Sequence, residues 1–584
     1  MRTIFVVLFF YSLSGFAQIS IQGTVRDSKR KAPLSFCGIT LKSTKTSCIA
    51  NEDGGFRINV NSEKDSIVIS FLGYKSKTLV ASSILNRPLI FLEPKDILID
   101  EVVIHADDDY LFDIMQECRE RINRSLSHQA KAYFNLETEY QKQIVEMLAC
   151  YYNATFNGNS IEELNLKNGR IGLAVTSDSS YFVSMNTSRA ITYLNLTHNN
   201  EYLPKIPFQF SKNKMRHHFL LKMIAVYESG SPVYHIAFSP RINDGNSFHG
   251  EVWIDKSTYT LLKVTLSGEN LKTHPFLPMW PKTSIDSVSI SIMQTYELND
   301  KAGILHDLNF SYSLIFKKKE FQRDVKTKGV MYFYDLEKPF ILPYFDYDVT
   351  QSDYRKITFF PYNASFWNHS NGLLNTRKQS ENLSFLKKNG LLLNYNHKLD
   401  ADLPINKLNL VHGKFFEDNY VYWSDTSRLS LKKNSICKDS LVNLNVQKVK
   451  ADLYQFKAQV FLDVNEIGDS LHCFSATVFD VFDSFYKLTE EKTSNCFLNI
   501  FFDIYEIERR NMDKKLRESS HNKEQIDLIY KLTIETIEAQ TALYLKKTQS
   551  GDNFAELKIW NDYVFKNLGI DNFMIFKIND TISN

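Results

Sequence analysis

Apolar and polar residues alternate along much of the first 336 residues, and this period of two constrains the fold more than any other feature. Short alternating runs separated by turn residues occupy residues 19–105. Longer runs follow, for example at residues 133–140, 146–156 and 308–316. Such alternation is typical of strands with one face toward a core. The chain is therefore predicted to be mainly β, with antiparallel sheets.

At 584 residues the chain is too long for one ordinary core, so several domains are expected. Changes in pattern predict five segments, which differ in length and composition. They are a leader at 1–17, a β-sandwich at 18–105, a leading helix with a curved antiparallel β domain at 106–336, an aromatic connector at 337–412, and an α+β domain with two long helices at 413–584.

The first 17 residues have the composition of a signal peptide. Arg2 supplies a positive start, residues 4–13 are apolar, and Gly15 and Ala17 form a small-x-small cleavage site before Gln18. No later stretch reaches the roughly 20 apolar residues that a spanning helix needs. We therefore expect an exported protein with no integral membrane segment after cleavage.

The balance of charges and the absence of several sequence motifs exclude some classes of function. Lys and Arg number 69 against 67 Asp and Glu, a formal net charge of +2, so no nucleic-acid partner is expected. The sequence contains no nucleophile elbow, phosphate-binding loop or dinucleotide-binding glycine motif. No cofactor, catalytic residue or metal ligand is predicted, and the adjacent pair His217 and His218 lacks a third ligand nearby in sequence.

The sandwich segment resembles the carboxypeptidase-regulatory-like, prealbumin-type domain of Gram-negative receptors and surface proteins. The matching motifs are I-x-G-x-V-x-D at 21–27, Pro33-Leu34, the turn at 51–56, the Gly-aromatic step at 70–74, and residues 100–104. The resemblance implies a seven-stranded sandwich with a docking or spacing role and no catalysis. Together with the expected export, it also implies a Gram-negative envelope protein that is periplasmic or outer-membrane-associated.

Within this sandwich we predict a disulfide between Cys37 and Cys48. The two residues fall on consecutive predicted strands, and an exported protein meets an oxidising compartment. A register offset of one residue would turn the two side chains to opposite faces and prevent the bond.

The middle segment is predicted to start with a helix at 110–125 and to contain a hairpin at 248–264 with an Asp-Lys-x-Thr turn. This hairpin resembles the repeated hairpins of curved-sheet envelope proteins that hold lipid or hydrophobic cargo. A purely structural sheet is the alternative interpretation.

Helical periodicity at 495–517 and 525–546 predicts two long amphipathic helices. The run 501–510 resembles the segment after the zinc helix of exported bacterial zincin-like proteases, which also carry a Trp-Ser strand before it and Thr-x-x-Gly and Trp segments after it. Phe497, Leu498 and Phe501 occupy the positions that match the zinc-binding His pair and the catalytic Glu. The site is therefore expected to be degenerate, with Asp503 and Glu506 on an exposed helix face.

These patterns predict a non-catalytic envelope protein, a pseudoenzyme in its C-terminal region, that binds or scaffolds another envelope component. The partner, an envelope protein or a glycan, is not specified by the sequence. Two alternatives stay open: a diverged exported metallopeptidase or other hydrolase, and a carrier of lipid or other hydrophobic cargo.

Overall fold

The computed structural model describes most of the chain between residues 19 and 578. The predicted signal peptide and cleavage site therefore lie outside the described residues. The described ranges are 19–44, 46–95, 109–174, 187–227, 232–277, 283–299, 302–318, 321–346, 352–370, 372–395, 399–400, 420–432, 436, 454–467, 470–481, 483–487, 492–519 and 522–578.

The N-terminal unit is a sandwich of seven strands in two sheets, as predicted. One sheet has the order β4-β1-β7 and the other β3-β2-β5-β6. Alternate residues of β1 and β5 point into a shared apolar core around Phe56. The elements are β1 (Ile19–Asp27), β2 (Gly38–Leu41), β3 (Ser47–Ile49), β4 (Gly55–Val60), β5 (Ser66–Ser70), β6 (Lys77–Val80), α1 (Ala81–Asn86) and β7 (Leu89–Leu92).

The middle unit is one 12-stranded sheet with the order β11-β12-β13-β14-β15-β16-β17-β8-β9-β10-β18-β19. All of its strand pairs are antiparallel. The strands are β8 (His128–Tyr140), β9 (Gln143–Asn157), β10 (Ser160–Ala174), β11 (Phe219–Tyr227), β12 (Val233–Pro240), β13 (His249–Asp255), β14 (Leu261–Gly268), β15 (Thr283–Asn299), β16 (Ala302–Lys318), β17 (Phe321–Tyr334), β18 (Gly390–Leu393) and β19 (Leu399–Asp400).

The predicted hairpin is confirmed as β13 and β14. Asp255 ends β13, and its side chain accepts hydrogen bonds from the backbone N–H groups of Ser257 (3.0 Å) and Thr258 (2.8 Å). An aspartate that bonds to the backbone two and three residues ahead stabilises a tight turn. The Asp-Lys-x-Thr sequence therefore closes this hairpin.

One face of the large sheet is covered by the predicted leading helix, α2 (Asp109–Asn123), and we call it the α2 face. Leu111, Met115 and Cys118 of α2 are fully buried against sheet residues such as Phe134 and Tyr152. The short helices α3 (Thr187–Thr192) and α4 (Lys212–His218) lie in the insertion between β10 and β11. The α2 face is thus filled by the chain's own apolar side chains.

The aromatic connector expected at 337–412 contains, in its described part up to residue 400, three helices and the last two strands of the large sheet. The helices are α5 (Asp353–Phe359), α6 (Ala364–His369) and α7 (Arg377–Asn389). Tyr354 and Ile357 are buried in the α2-face core, while Phe366 of α6 packs with Tyr133 and Tyr151 on the opposite face. The aromatic composition that suggested a connector therefore serves to cover both faces of the sheet.

The C-terminal unit is α+β and contains the two predicted long helices, α8 and α9, which pack together. A three-stranded sheet with the order β20-β23-β22 lies against α8. The elements are β20 (Tyr420–Tyr422), β21 (Tyr454–Gln455), β22 (Ala458–Ile467), β23 (Ser470–Asp480), β24 (Phe485–Tyr486), α8 (Lys492–Glu518), α9 (Lys523–Thr548), α10 (Phe554–Leu568) and α11 (Asn572–Ile575).

A buried ion pair joins the C-terminal unit to the large sheet. Lys167 of β10 and Asp463 of β22 form a salt bridge, with both side chains at most 1% exposed. The Lys167 ammonium also donates to the carbonyl oxygens of Ile341 (2.6 Å) and Val464 (2.9 Å), and Asn363 donates to Asp463 (2.8 Å). The contact is therefore a closed network in which each charge is hydrogen-bonded.

Candidate ligand-binding site

The face of the large sheet opposite α2 carries a row of polar side chains, and we call it the serine face. Strand register places Ser267, Ser291, Ser311, Lys328 and Glu137 directly opposite one another on β14, β15, β16, β17 and β8. Residues that are directly opposite across antiparallel strands share a face. The row therefore runs across five strands.

Solvent reaches this row. Ser291 and Ser311 are exposed, while the residues after them, Ile292 and Tyr312, are buried on the α2 face. A sheet with one apolar and one polar face needs such alternation. On this polar face, β14, β15 and β16 carry hydroxyl groups in the row, and β17 and β8 carry the charged side chains Lys328 and Glu137.

A turn of the sandwich forms one wall beside the row. Asn51 accepts hydrogen bonds from the backbone N–H groups of Asp53 (3.0 Å) and Gly55 (2.8 Å), which fixes the turn, and donates to the carbonyl oxygen of Leu374 (2.9 Å). The adjacent Glu52 forms an ion pair with Lys328 at 2.8 Å. The turn that carries the regulatory-like motif therefore docks on the serine face.

The N-terminus of α7 forms the other wall. The Thr376 hydroxyl accepts from the Gln379 backbone (3.1 Å), and the Gln379 amide oxygen accepts from the Thr376 backbone (2.9 Å). This reciprocal capping box fixes the start of the helix. Lys378 of the same turn forms an ion pair with Glu139.

Two connected cavities lie between these walls. One of about 310 Å³ is lined by the sandwich turn, α7 and strands β8, β15, β16 and β17. The second, of about 540 Å³, continues along the sheet toward β13 and β14. Both are lined by Glu137, Ser291, Ser311 and Lys328, so they form one groove over the serine row.

Glu137 at the floor of the smaller cavity lacks a satisfactory partner. Its side chain is 2% exposed, and neither carboxylate oxygen has a hydrogen-bond partner among the described residues. Lys328 is the nearest ammonium at 3.7 Å, but Glu52 holds it at 2.8 and 2.9 Å. Burial raises the pKa of Glu137 and outweighs the opposite effects of the Lys328 charge and of the nearby Gln379 side-chain amide. Buried polar groups are normally hydrogen-bonded, so this carboxylate is an exception that needs a reason.

Asn309 supplies a second unsatisfied acceptor in the same cavity. Its amide nitrogen donates to the Asp307 carboxylate (2.7 Å), and its buried amide oxygen has no partner among the described residues. A carboxylate only accepts, so this contact fixes which end of the amide faces Asp307. The cavity therefore offers free acceptors at two places.

An aromatic cluster lies near the far end of the groove on β12, β13 and β14. The His235 ring stacks on Trp253 (4.2 Å between centroids) and bonds to Glu251 at 2.8 Å, while the Lys263 ammonium lies 4.7 Å from the Trp253 ring centre. Burial lowers the pKa of Lys263. The cluster extends the serine face with a flat, partly exposed ring.

The three sequence-predicted motif positions lie elsewhere, in the C-terminal core. Phe497, Leu498 and Phe501 of α8 are all buried. The Phe497 ring stacks on Tyr544 of α9 at 5.3 Å, and the Tyr544 hydroxyl donates to the Phe497 carbonyl oxygen at 2.8 Å. Aromatic and aliphatic side chains therefore occupy the part of α8 where the resemblance would place a zinc site. Among the described residues, no group of three or more His, Cys, Asp or Glu side chains is placed to hold a metal ion.

The expectation that Asp503 and Glu506 lie on an exposed helix face is wrong, because each has a charged partner inside the C-terminal unit. Arg428 contacts the Asp503 carboxylate at 2.6 Å, and Trp423 donates to it at 2.7 Å. Burial disfavours the charged form of Glu506, but Arg509 outweighs that effect and holds its pKa below the usual range. Both carboxylates are structural.

The predicted disulfide between Cys37 and Cys48 is not formed in this structure, where both are buried free thiols. The register of β2 with β3 places Ile39, not Cys37, opposite Cys48. The two cysteines are thus diagonal rather than direct neighbours. Burial raises the pKa of the Cys37 thiol to about 12, so it stays protonated at neutral pH.

The groove residues were not predicted from the sequence. Glu137 and Lys328 are 191 positions apart, and only the pairing of β8 with β17 brings them together. One signal was present: the alternating serines of 287-SVSIS-291 and 311-SYS-313 put small hydroxyl side chains on one face of two predicted strands.

The architecture is therefore that of a mainly β protein of several units, with a polar groove between a sandwich and a large antiparallel sheet. Residues 21–104 match the family model of the CarboxypepD_reg-like domain, which confirms the resemblance drawn for the sandwich. No curated protein matches the sequence.

Three solved structures illustrate what the chain is similar to. The complex of MucA and MucB from Pseudomonas aeruginosa is 10% identical, with 38% of this chain and 93% of that chain covered and a TM-score of 0.16. A DUF1329 family protein from Desulfovibrio piger is 9% identical, with 41% of this chain and 93% of that chain covered and a TM-score of 0.17. A LolA superfamily protein from Nitrosomonas europaea is 9% identical, with 38% of this chain and 91% of that chain covered and a TM-score of 0.14. These scores carry no argument about function, and none of the matches supports the zincin-like resemblance.

Within the described ranges, no helix is both long and apolar enough to cross a membrane.

Proposed function

We propose that this chain is a non-catalytic binding protein of the bacterial envelope and that the groove on the serine face holds its ligand. The regulatory-like sandwich and the export signal expected from the sequence support an envelope role. The observation that carries the proposal is Glu137, a buried carboxylate at the floor of a cavity of about 310 Å³ that has no hydrogen-bond partner in the part of the chain that the structure describes. A ligand that donates to Glu137 removes a penalty that the free protein carries.

Two features favour this proposal over the alternatives. The α2 face, where hydrophobic cargo would bind, is filled by α2 and its neighbours, so the open surface is polar. The α8 positions that the sequence resemblance assigns to the zinc-binding His pair and the catalytic Glu of a peptidase are occupied by Phe497, Phe501 and Leu498 in an apolar core. A polar ligand, such as a glycan fragment or a peptide, suits the groove better than lipid.

The test is to block the groove without disturbing the fold. Ser311→Trp places an indole on an exposed position of the serine row, so it should fill the groove and leave the core intact. Wild type is incubated with a protein-free extract of a Gram-negative envelope and analysed by native mass spectrometry. We expect a bound small molecule on wild type and its loss in Ser311→Trp.

Ser284→Trp is the matched control, because Ser284 is an exposed serine of β15 that lines neither cavity. This variant should retain the ligand. If wild type retains nothing, or if Ser284→Trp and Ser311→Trp lose the ligand equally, the groove is not the binding site.

A further inference from the structure

The unsatisfied atoms of the smaller cavity are all acceptors. They are both carboxylate oxygens of Glu137 and the amide oxygen of Asn309. A ligand that brought only acceptors would leave all three unpaired and would lose hydration on entry. The complementary ligand must therefore bring N–H or O–H donors.

The charged side chains around the groove indicate which charge a ligand with hydrogen-bond donors should carry. The smaller cavity is lined by two carboxylates, Glu52 and Glu137, and one ammonium, Lys328. The larger cavity adds two carboxylates and two ammonium groups, Glu139, Glu269, Lys326 and Lys378, which balance one another. One negative charge is left unmatched, and anionic ligands are thereby disfavoured.

The unmatched charge is located at Glu137. Lys328 is held by both Glu52 carboxylate oxygens, at 2.9 and 2.8 Å, and lies 3.7 Å from Glu137. Lys378 is engaged by Glu139. Glu137 thus shares its nearest cation, at 3.7 Å, with Glu52, at a depth where an ion pair gains strength because water is excluded.

We infer that the cavity beside Glu137 binds a cationic nitrogen group, an ammonium or a guanidinium, carried by a small polar ligand. Such a group supplies both several N–H donors and the missing positive charge. This inference rests on the proposed function, since it names the chemistry that the groove recognises. The serines and Asn309 would then contact the polar remainder of the ligand.

Four small probes test the inference by isothermal titration on the full chain. Nα-acetyl-L-lysine amide and Nα-acetyl-L-arginine amide carry the two cations, and Nα,Nε-diacetyl-L-lysine amide and Nα-acetyl-L-norleucine amide lack a charge. We expect at least one cationic probe to bind, and the lysine and arginine arms then separate ammonium from guanidinium. Neither neutral probe should bind detectably.

Two variants assign the binding to Glu137. Glu137→Gln should weaken binding of the cationic probe about tenfold or more, since it removes the negative charge and keeps the shape. Lys328→Met should strengthen binding about threefold or more, because it removes the nearest competing cation. An increase in affinity cannot result from a damaged fold, so this variant separates recognition from stability.

Glu52→Gln controls for loss of the contact between the sandwich and Lys328, and it should bind the probe no more tightly than wild type. Failure of both cationic probes to bind, equal binding of the neutral probes, or an unchanged affinity in Glu137→Gln would overturn the inference. If an envelope ligand is still lost in Ser311→Trp, the proposed function stands while this inference falls.

Discussion

Glu137 combines the two properties expected of a binding residue, burial and an unsatisfied charge. Its closest charged neighbour, Lys328, is shared with Glu52. Removing one partner of a buried polar contact is usually destabilising, whereas here the native side chain already lacks a partner. Natural proteins keep such residues where function requires them.

We predict that Glu137→Gln stabilises the free protein by about 1–3 kcal/mol at pH 8, because the variant removes a buried charge. The folded-state pKa of Glu137 is raised above its ordinary value of 4.5, so the folded state binds more protons than the unfolded state above that pH. The free energy of unfolding of wild type is therefore not reduced by the charge on Glu137 below about pH 4.5, and it decreases as pH rises through the pKa of Glu137 in the folded state.

Urea unfolding of wild type and variant between pH 4.5 and pH 8 measures this difference. The gap between the two proteins should widen as pH rises. Glu139→Gln removes the partly exposed ion-pair partner of Lys378, and its unfolding free energy should differ from that of wild type by a small, nearly pH-independent amount. If wild type is more stable than Glu137→Gln at pH 8, Glu137 is not a destabilising buried charge in the free protein.

Lys167 differs from Glu137 in that its buried charge has both a counter-ion and hydrogen-bond partners. We predict that Lys167→Met lowers the free energy of unfolding by about 3–5 kcal/mol, because it leaves Asp463 buried without its counter-ion. The double variant Lys167→Met with Asp463→Asn should recover at least half of that loss. Denaturant unfolding measures both values.

Lys75→Met is the control for this prediction, since Lys75 and Glu93 form an ion pair with both side chains more than half exposed. It should leave stability nearly unchanged. A similar small effect for Lys167→Met would mean that the contact between β10 and β22 does not hold the C-terminal unit in place.

Helix α8 shows how an element can keep its shape when the chemistry expected of it is missing. The periodicity of residues 495–517 predicted the helix correctly because the apolar side chains follow its buried face. The sequence did not predict the burial of Asp503, because Arg428 lies 75 residues away and only the folded unit brings the two together. Helical pattern is a local property, whereas the pairing of buried charges is not.

We predict that Phe497→Ala destabilises the C-terminal unit by about 3–5 kcal/mol, because the ring is fully buried against Tyr544 and Phe456. Leu543→Ala on the adjacent helix is the matched control, because this leucine is 49% exposed, and it should change stability by less than about 1 kcal/mol. Thermal and urea unfolding compare the two. Equal effects would show that Phe497 does not belong to a packed core.

At the scale of the whole molecule, the sequence predicted the units better than their arrangement. The sandwich, the hairpin at Asp255 and the two long helices follow from local motifs and periodicity, and all three are confirmed. Strands β10, β11, β17 and β18 were not among the strands predicted individually, so the order of the large sheet was not predicted either. In β17, polar residues such as Lys326 and Lys328 weaken the apolar alternation that marks a strand, and β18 is too short to show one.

The groove could not be predicted because it belongs to no single segment. Its floor comes from strands of the large sheet, one wall from residues 51–52 of the sandwich and the other from residues 376–379 of α7. In the sequence, each of these segments has the composition of an ordinary protein surface. Only docking of the sandwich on the serine face makes them face one another.

Docking of the sandwich also gives the regulatory-like domain a defined position. Its Asn51 turn contacts Leu374, and its Ile49 packs among Tyr133, Tyr332 and Leu373 in a small apolar core. The sandwich therefore does more than space one unit from another, since it supplies part of the groove.

A crystal structure of the chain after incubation with the envelope extract would show directly whether the groove on the serine face holds a ligand. We expect electron density for a ligand in the cavity of about 310 Å³, with a donor within hydrogen-bond distance of the Glu137 carboxylate. Density for a ligand on the α2 face or at α8, with the serine-face groove holding only water, would contradict it.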